Sequence, residues 1–211
     1  MKKILAIAIA LYASTAFANI LNSKHDIGVY TNGGGASVCY YCHVPHNSLN
    51  YGVDVPLWAK NNLGTAYTVY SGTLFGGPAV ISNMTRACLS CHDGTTDMAQ
   101  TIAGDLNGAS DVRVGTAVTP AGGPNPTANP RANIGTDLQN DHPVGVTWVS
   151  NATNGLAASA PATFPLFSTR LECASCHEPH SNVVPSVASG LTKRFMRDPN
   201  ADFCAACHSS K

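Results

Sequence analysis

The sequence predicts a mostly irregular coil with a few short helices and short strands, organised around bound groups rather than around an apolar core. Three observations predict it: large aliphatic residues are sparse, amphipathic periodicity is rare, and all eight cysteines stand in one repeated motif. Glycine, alanine, threonine, asparagine and proline dominate, with 19 glycines and 13 prolines among 211 residues. Such a chain struggles to bury enough apolar surface to offset its conformational entropy. Loop-rich proteins meet that deficit with covalent staples or metals.

The eight cysteines form four pairs, each followed at once by a histidine. They read Cys39-Tyr-Tyr-Cys42-His43, Cys88-Leu-Ser-Cys91-His92, Cys173-Ala-Ser-Cys176-His177 and Cys204-Ala-Ala-Cys207-His208. This spacing is the c-type haem attachment signal. Two thiols add across the vinyl groups, and the adjacent histidine is held beneath the iron as its proximal ligand. Disulfides and paired-cysteine zinc sites compete with this reading, but neither requires a histidine after every second cysteine. Four motifs with no cysteine left over favour haem. The fold class is therefore a multihaem cytochrome c, organised around a chain of four haems c.

Each iron takes one more axial ligand, whose identity separates an electron carrier from an enzyme. Beyond the four motif histidines the chain holds His25, His46, His142 and His180. Four spare histidines allow every iron to be closed by a second imidazole. Met84, Met98 and Met196 are alternative ligands, and a methionine would raise that haem's potential. His46 and His180 share a setting, His43-Val-Pro-His46 and His177-Glu-Pro-His180. Three residues span about 10 Å at most, too little to wrap readily round the haem fixed to the same segment, so each should ligate a neighbouring one. That places two haems close together in each half. His25-Asp-Ile-Gly-Val and His142-Pro-Val-Gly-Val also match. An N-terminal segment is poorly ordered unless tied down, and iron ligation by His25 would tie it. Whether that iron belongs to its own chain or the next stays open.

The halves align as a repeat, from about His25 to His92 and from His142 to His208. Between them Thr95 to Asn140 includes the proline- and glycine-rich stretch Thr119 to Pro130, unsuited to regular structure and read as a surface wrap or a linker. Short helices are expected over Thr85–Cys91, Leu171–Cys176 and Ala201–Cys207, and short strands over Val144–Val149 and Ala66–Tyr70. Trp58, Trp148 and the tyrosines are expected to pack on haem faces or edges.

The N-terminus opens Met1-Lys2-Lys3, continues uncharged from Ile4 to Ala13, and reaches Ser14-Thr15-Ala16-Phe17-Ala18. A short basic region, an apolar stretch too short for a bilayer and an Ala-x-Ala ending read as a secretory signal peptide over residues 1–18. Residues 19–211 would then form a single exported unit with no membrane span, which suits haem attachment completed outside the cytoplasm. Loss of the leader removes two of 12 basic side chains and leaves 12 acidic ones. That balance argues against a basic nucleic-acid-binding face, and long-range steering onto acidic partners is weakened.

The unit Cys-x-x-Cys-His-x-Pro-His-Asn/Ser, with Asp-His-Pro-Val-Gly upstream, resembles the doubled-motif cytochromes that metal-reducing bacteria export to the cell surface. With four motifs and this length, the chain is most similar to the tetrahaem extracellular cytochromes that polymerise into conductive filaments. The resemblance covers both motif-bearing halves and not the central loop. It implies two histidine ligands on every iron, a continuous haem stack, end-to-end assembly of identical subunits, and a histidine from one subunit ligating a haem of the next. His25 is the candidate for that role by its terminal position. The expected function is electron transfer without a catalytic site, with copies of itself, other cytochromes or extracellular acceptors as partners. A monomeric periplasmic carrier is the alternative, and a multihaem reductase with one open iron a third reading.

Overall fold

The structure, a computed structural model, describes residues 20–21, 23–29, 38–52, 55–72, 77–105, 132–150, 155–181, 195–198 and 203–208. The expected signal peptide and the Thr119–Pro130 stretch lie outside the described residues. Among the described residues no helix is long and apolar enough to cross a membrane.

The four motifs fold alike because their spacing fits one helical turn. Cysteines three apart lie on one face of such a turn, and the histidine follows at the fourth position. The His43 amide donates to the Cys39 carbonyl at 2.8 Å, His177 to Cys173 at 3.0 Å and His208 to Cys204 at 2.9 Å. At the second motif the turn grows into a helix, α1 (Asn83–His92). Ser82 caps it by accepting from the Thr85 amide at 3.4 Å. The third motif is the short helix α2 (Cys173–Cys176) and the fourth is α3 (Phe203–Cys207). The first stays a bare turn. These three helices fall where the sequence expects them.

Helices α1 and α2 pack together across the two halves of the chain. Thr85 Oγ1, fully buried, donates to Glu172 Oε2 at 2.5 Å and accepts from the Cys173 amide at 3.3 Å. Glu172 Oε1 faces the same interior without a partner, and burial raises the carboxyl above its ordinary value. Strands are minimal. An antiparallel pair joins β1 (Gln100–Thr101) to β2 (Gly104–Asp105), and another joins β3 (Val146–Thr147) to β4 (Arg170–Leu171). The expected strand over Val144–Val149 shrinks to β3, and Ala66–Tyr70 supplies one isolated bridge, Thr68 to Asp137.

Apolar burial is split into small clusters: Ile27 with Tyr41 and Met98, Tyr51 with Val55 and Ala87, and Ala79 with Val146 and Leu171. Polar stitching does the work a core would do. Asn62 accepts from Tyr51 at 2.5 Å and donates to Tyr67 and to the Arg86 carbonyl, while Tyr67 donates to Asp93 at 2.8 Å.

One repeat feature acquires a steric cause here. Gly145, of the His142-Pro-Val-Gly-Val segment, has φ +71° and is clamped between the Val80 amide and the Leu171 carbonyl. A Cβ there would stand against the Val80 carbonyl. Gly28 of the matching segment would meet only ordinary contact with Tyr41. Gly145→Ala is therefore expected to destabilise the protein by about 2–4 kcal/mol, from left-handed backbone strain plus overpacking. Gly28→Ala should be nearly neutral. Thermal unfolding of the two variants checks the contrast.

Candidate functional site

None of the eight cysteines is paired in a disulfide, and no three histidine, cysteine or acidic side chains among the described residues converge on one point. The motifs instead sit side by side in sequence order. Burial pushes the Cys42 thiol up to about 12, and the neighbouring Cys91 adds to the rise. Cys173 beside it raises the Cys88 thiol further than burial does. Cys176 is raised by burial and then by Cys207. First motif thus meets second, second meets third, and third meets fourth.

The histidines add a second regularity. His25 faces His92 with ring centroids 6.2 Å apart, His43 faces His180 at 6.2 Å, and His142 faces His208 at 6.4 Å. Each pair joins one motif histidine to one spare histidine. These rings are not in contact; for comparison, Phe195 stacks on His25 at 4.2 Å. With metal–nitrogen bonds of about 2 Å and roughly 1 Å more from nitrogen to ring centre, imidazoles on opposite sides of one iron lie about 6 Å apart. The observed pairs fit an axially ligated haem iron.

Backbone carbonyls behind the rings fix their orientation. His43 Nδ1 lies 2.8 Å from the Pro56 carbonyl, His92 Nδ1 2.8 Å from Ala132, His142 Nδ1 3.1 Å from Pro143, and His25 Nδ1 3.4 Å from Pro179. A hydrogen bond from Nδ1 leaves Nε2 as the free lone pair, and such outer partners both aim a ligating ring and raise its basicity. His180 is held differently. Its Nδ1 lies 3.3 Å from Glu178 Oε1, while Arg197 holds the other carboxylate oxygen at 2.9 Å. Burial, then His92, pulls His25 down to about 4, so that ring is neutral at pH 7, as a metal ligand must be.

Two predicted site residues are not brought together. Among the described residues no ring lies opposite His46 or His177, and both side chains are exposed. The two His-x-Pro-His copies differ at their second position. Glu178 anchors His180, whereas the equivalent Val44 is buried under the Leu57 backbone, leaving His46 on an exposed tip with Pro45 and Asn47. His180 sits across from His43, so this pairing runs between the halves.

Of the methionines, Met98 is buried against Ile27 and Tyr41, Met84 packs beside Ala87, and Met196 bridges to the His177 backbone. Trp58 packs edge-on to His43, with ring centroids 5.5 Å apart, and its Nε1 donates to Ser90. Phe195 and the four carbonyl partners have no recognisable sequence signal, because a carbonyl is common to every residue type.

No curated protein matches the chain. Residues 166–211, which include the third and fourth motifs, match the family described as Doubled CXXCH motif. The match and the repeated motifs together support a multihaem c-type cytochrome, a protein of electron transfer with covalently bound haem c.

Proposed function

We propose that the chain carries four haems c, each iron held between two histidines, and that it acts as the repeating subunit of an extracellular electron-conducting homopolymer without a catalytic site. The observation that carries the first part is the set of three facing histidine pairs at 6.2–6.4 Å. Haem, when bound, supplies reversible one-electron chemistry at iron. The chain's own part is to fix and tune. Cys39 and Cys42, Cys88 and Cys91, Cys173 and Cys176, and Cys204 and Cys207 tether four macrocycles, and the contacts between neighbouring motifs keep those tethers in a row. His43, His92, His177 and His208 serve as proximal ligands, and two histidines in place of a histidine and a methionine favour low potentials.

Assembly rests on the histidines left without a facing ring among the described residues. His25 has a partner in its own chain, so the inter-subunit role passes to His46, exposed and unanchored, closing the site at His177 of a neighbouring subunit. The runner-up is a monomeric periplasmic carrier in which His46 reaches His177 of the same chain. A reductase would keep the His177 iron open.

The His46→Ala variant separates these readings. Ordered fibres, visible by electron microscopy in the secreted wild type, should be lost while the three facing pairs keep their low-spin spectra. Normal fibres from His46→Ala, or a strictly monomeric wild type with every iron six-coordinate, would refute the assembly reading.

Ring orientation gives an independent prediction. The His43 and His180 planes differ by 24°, whereas His25 and His92 differ by 64° and His142 and His208 by 74°. Near-parallel imidazoles split the iron d orbitals and give a rhombic low-spin signal; strongly crossed ones leave them nearly degenerate and give a highly anisotropic one. Electron paramagnetic resonance of the oxidised protein should show, for the three facing pairs, one signal of the first kind and two of the second, with the fourth haem adding one more. Three alike would contradict the pairing.

A further inference from the structure

Lys60 is 1% exposed, yet among the described residues no carboxylate lies within ion-pair distance of it. Its ammonium donates instead to two backbone carbonyls, Met98 and, at 2.7 Å, Gln100. Burying a cation among neutral acceptors is costly, and proteins that retain such a charge commonly use it. Its place is fixed from both sides. The Ala59 amide donates to the Cys42 carbonyl and the Ile102 amide to the Ala59 carbonyl, each at 2.8 Å. Lys60 is thus stapled between the first motif and the loop that follows the second.

The charge reaches both attachment sites. Met98, whose carbonyl takes the Lys60 ammonium, belongs to the buried cluster against which both Cys42 and Cys91 pack. Glu172, the other ionisable side chain that is 1% exposed, lies where the second and third motifs meet. Burial raises its carboxyl above the ordinary value.

We propose that Lys60 is an electrostatic tuning residue, whose buried positive charge raises the reduction potentials of the groups bound at Cys39 and Cys42 and at Cys88 and Cys91 above those at the other two motifs. The inference rests on haem c being bound at these motifs. Reduction adds one electron and breaks no bond, so the reduced centre is more negative by one charge. A cation held nearby in a medium of low dielectric constant stabilises that state more than water would. Electrons would then reside preferentially on the first two centres, giving the row a built-in downhill direction from the His208 end.

A purely mechanical role, cross-linking two loops, predicts something different. Lys60→Gln retains N–H donors for the carbonyls and removes the charge, while Lys60→Arg retains the charge. Equilibrium redox titration of the haem-loaded full chain should show two of four potentials shifted downward in Lys60→Gln, the other two unmoved, and near wild-type values in Lys60→Arg. Should Lys60→Gln fail to mature, Lys60→Met, of similar length and uncharged, is read the same way. Four unmoved potentials in the uncharged variant, or an equal fall in Lys60→Arg, would overturn the proposal. A failure of the haem reading looks different: the wild type itself would lack centres at the first two motifs, and the proposal would fall with it.

Discussion

Two imidazole rings with centroids 6.2 Å apart cannot be held by their own attraction, because they do not touch. Each must be set in place from behind. The rest of the structure follows from that requirement. A one-turn motif fixes the proximal ring relative to two thiols, and a carbonyl at the back of the ring selects which nitrogen points inward. The opposite ring then has to arrive from a distant segment. That is why His180 crosses to His43, and why His25 is wedged between Phe195 and His92.

The same requirement explains the sparse regular structure. Under the proposed ligation, long helices or sheets would fill with backbone the volume that flat groups occupy between facing rings. The chain instead spends its residues on turns, single bridges and side-chain links such as Asn62 with Tyr51 and Tyr67. Its small apolar clusters flank the motifs rather than forming a common centre. Buried ionisable side chains sit at two of the junctions, Lys60 between the first and second motifs and Glu172 between the second and third. An interior built round charged redox groups has uses for such residues that an aliphatic core does not.

Much of this was legible in the residues themselves. The cysteine spacing dictates a helical turn at every motif, and three of the four are helical. The spare histidines announced themselves by number and by matched settings. Their partners did not, because pairing depends on how the halves interlock, and the link between Thr85 and Glu172 is a long-range contact without periodic signal. Matching motifs also concealed unlike roles. Gly145 is required by its backbone and Gly28 is not. His180 has a carboxylate anchor that Val44 denies His46. The glycine distinction lies in the backbone that a distant segment presents, which the motif itself does not encode, whereas Glu178 against Val44 stands within the repeated segment and is visible in the sequence.

The central claim is that the facing histidines are opposite ligands of haem irons, leaving no place for Met84, Met98 or Met196. Near-infrared magnetic circular dichroism of the oxidised, secreted protein tests it most directly, since the charge-transfer band of low-spin haem identifies the axial pair. The account predicts bands of the bis-histidine type alone. A band of the histidine–methionine type, or a secreted protein with no haem bands, would contradict it.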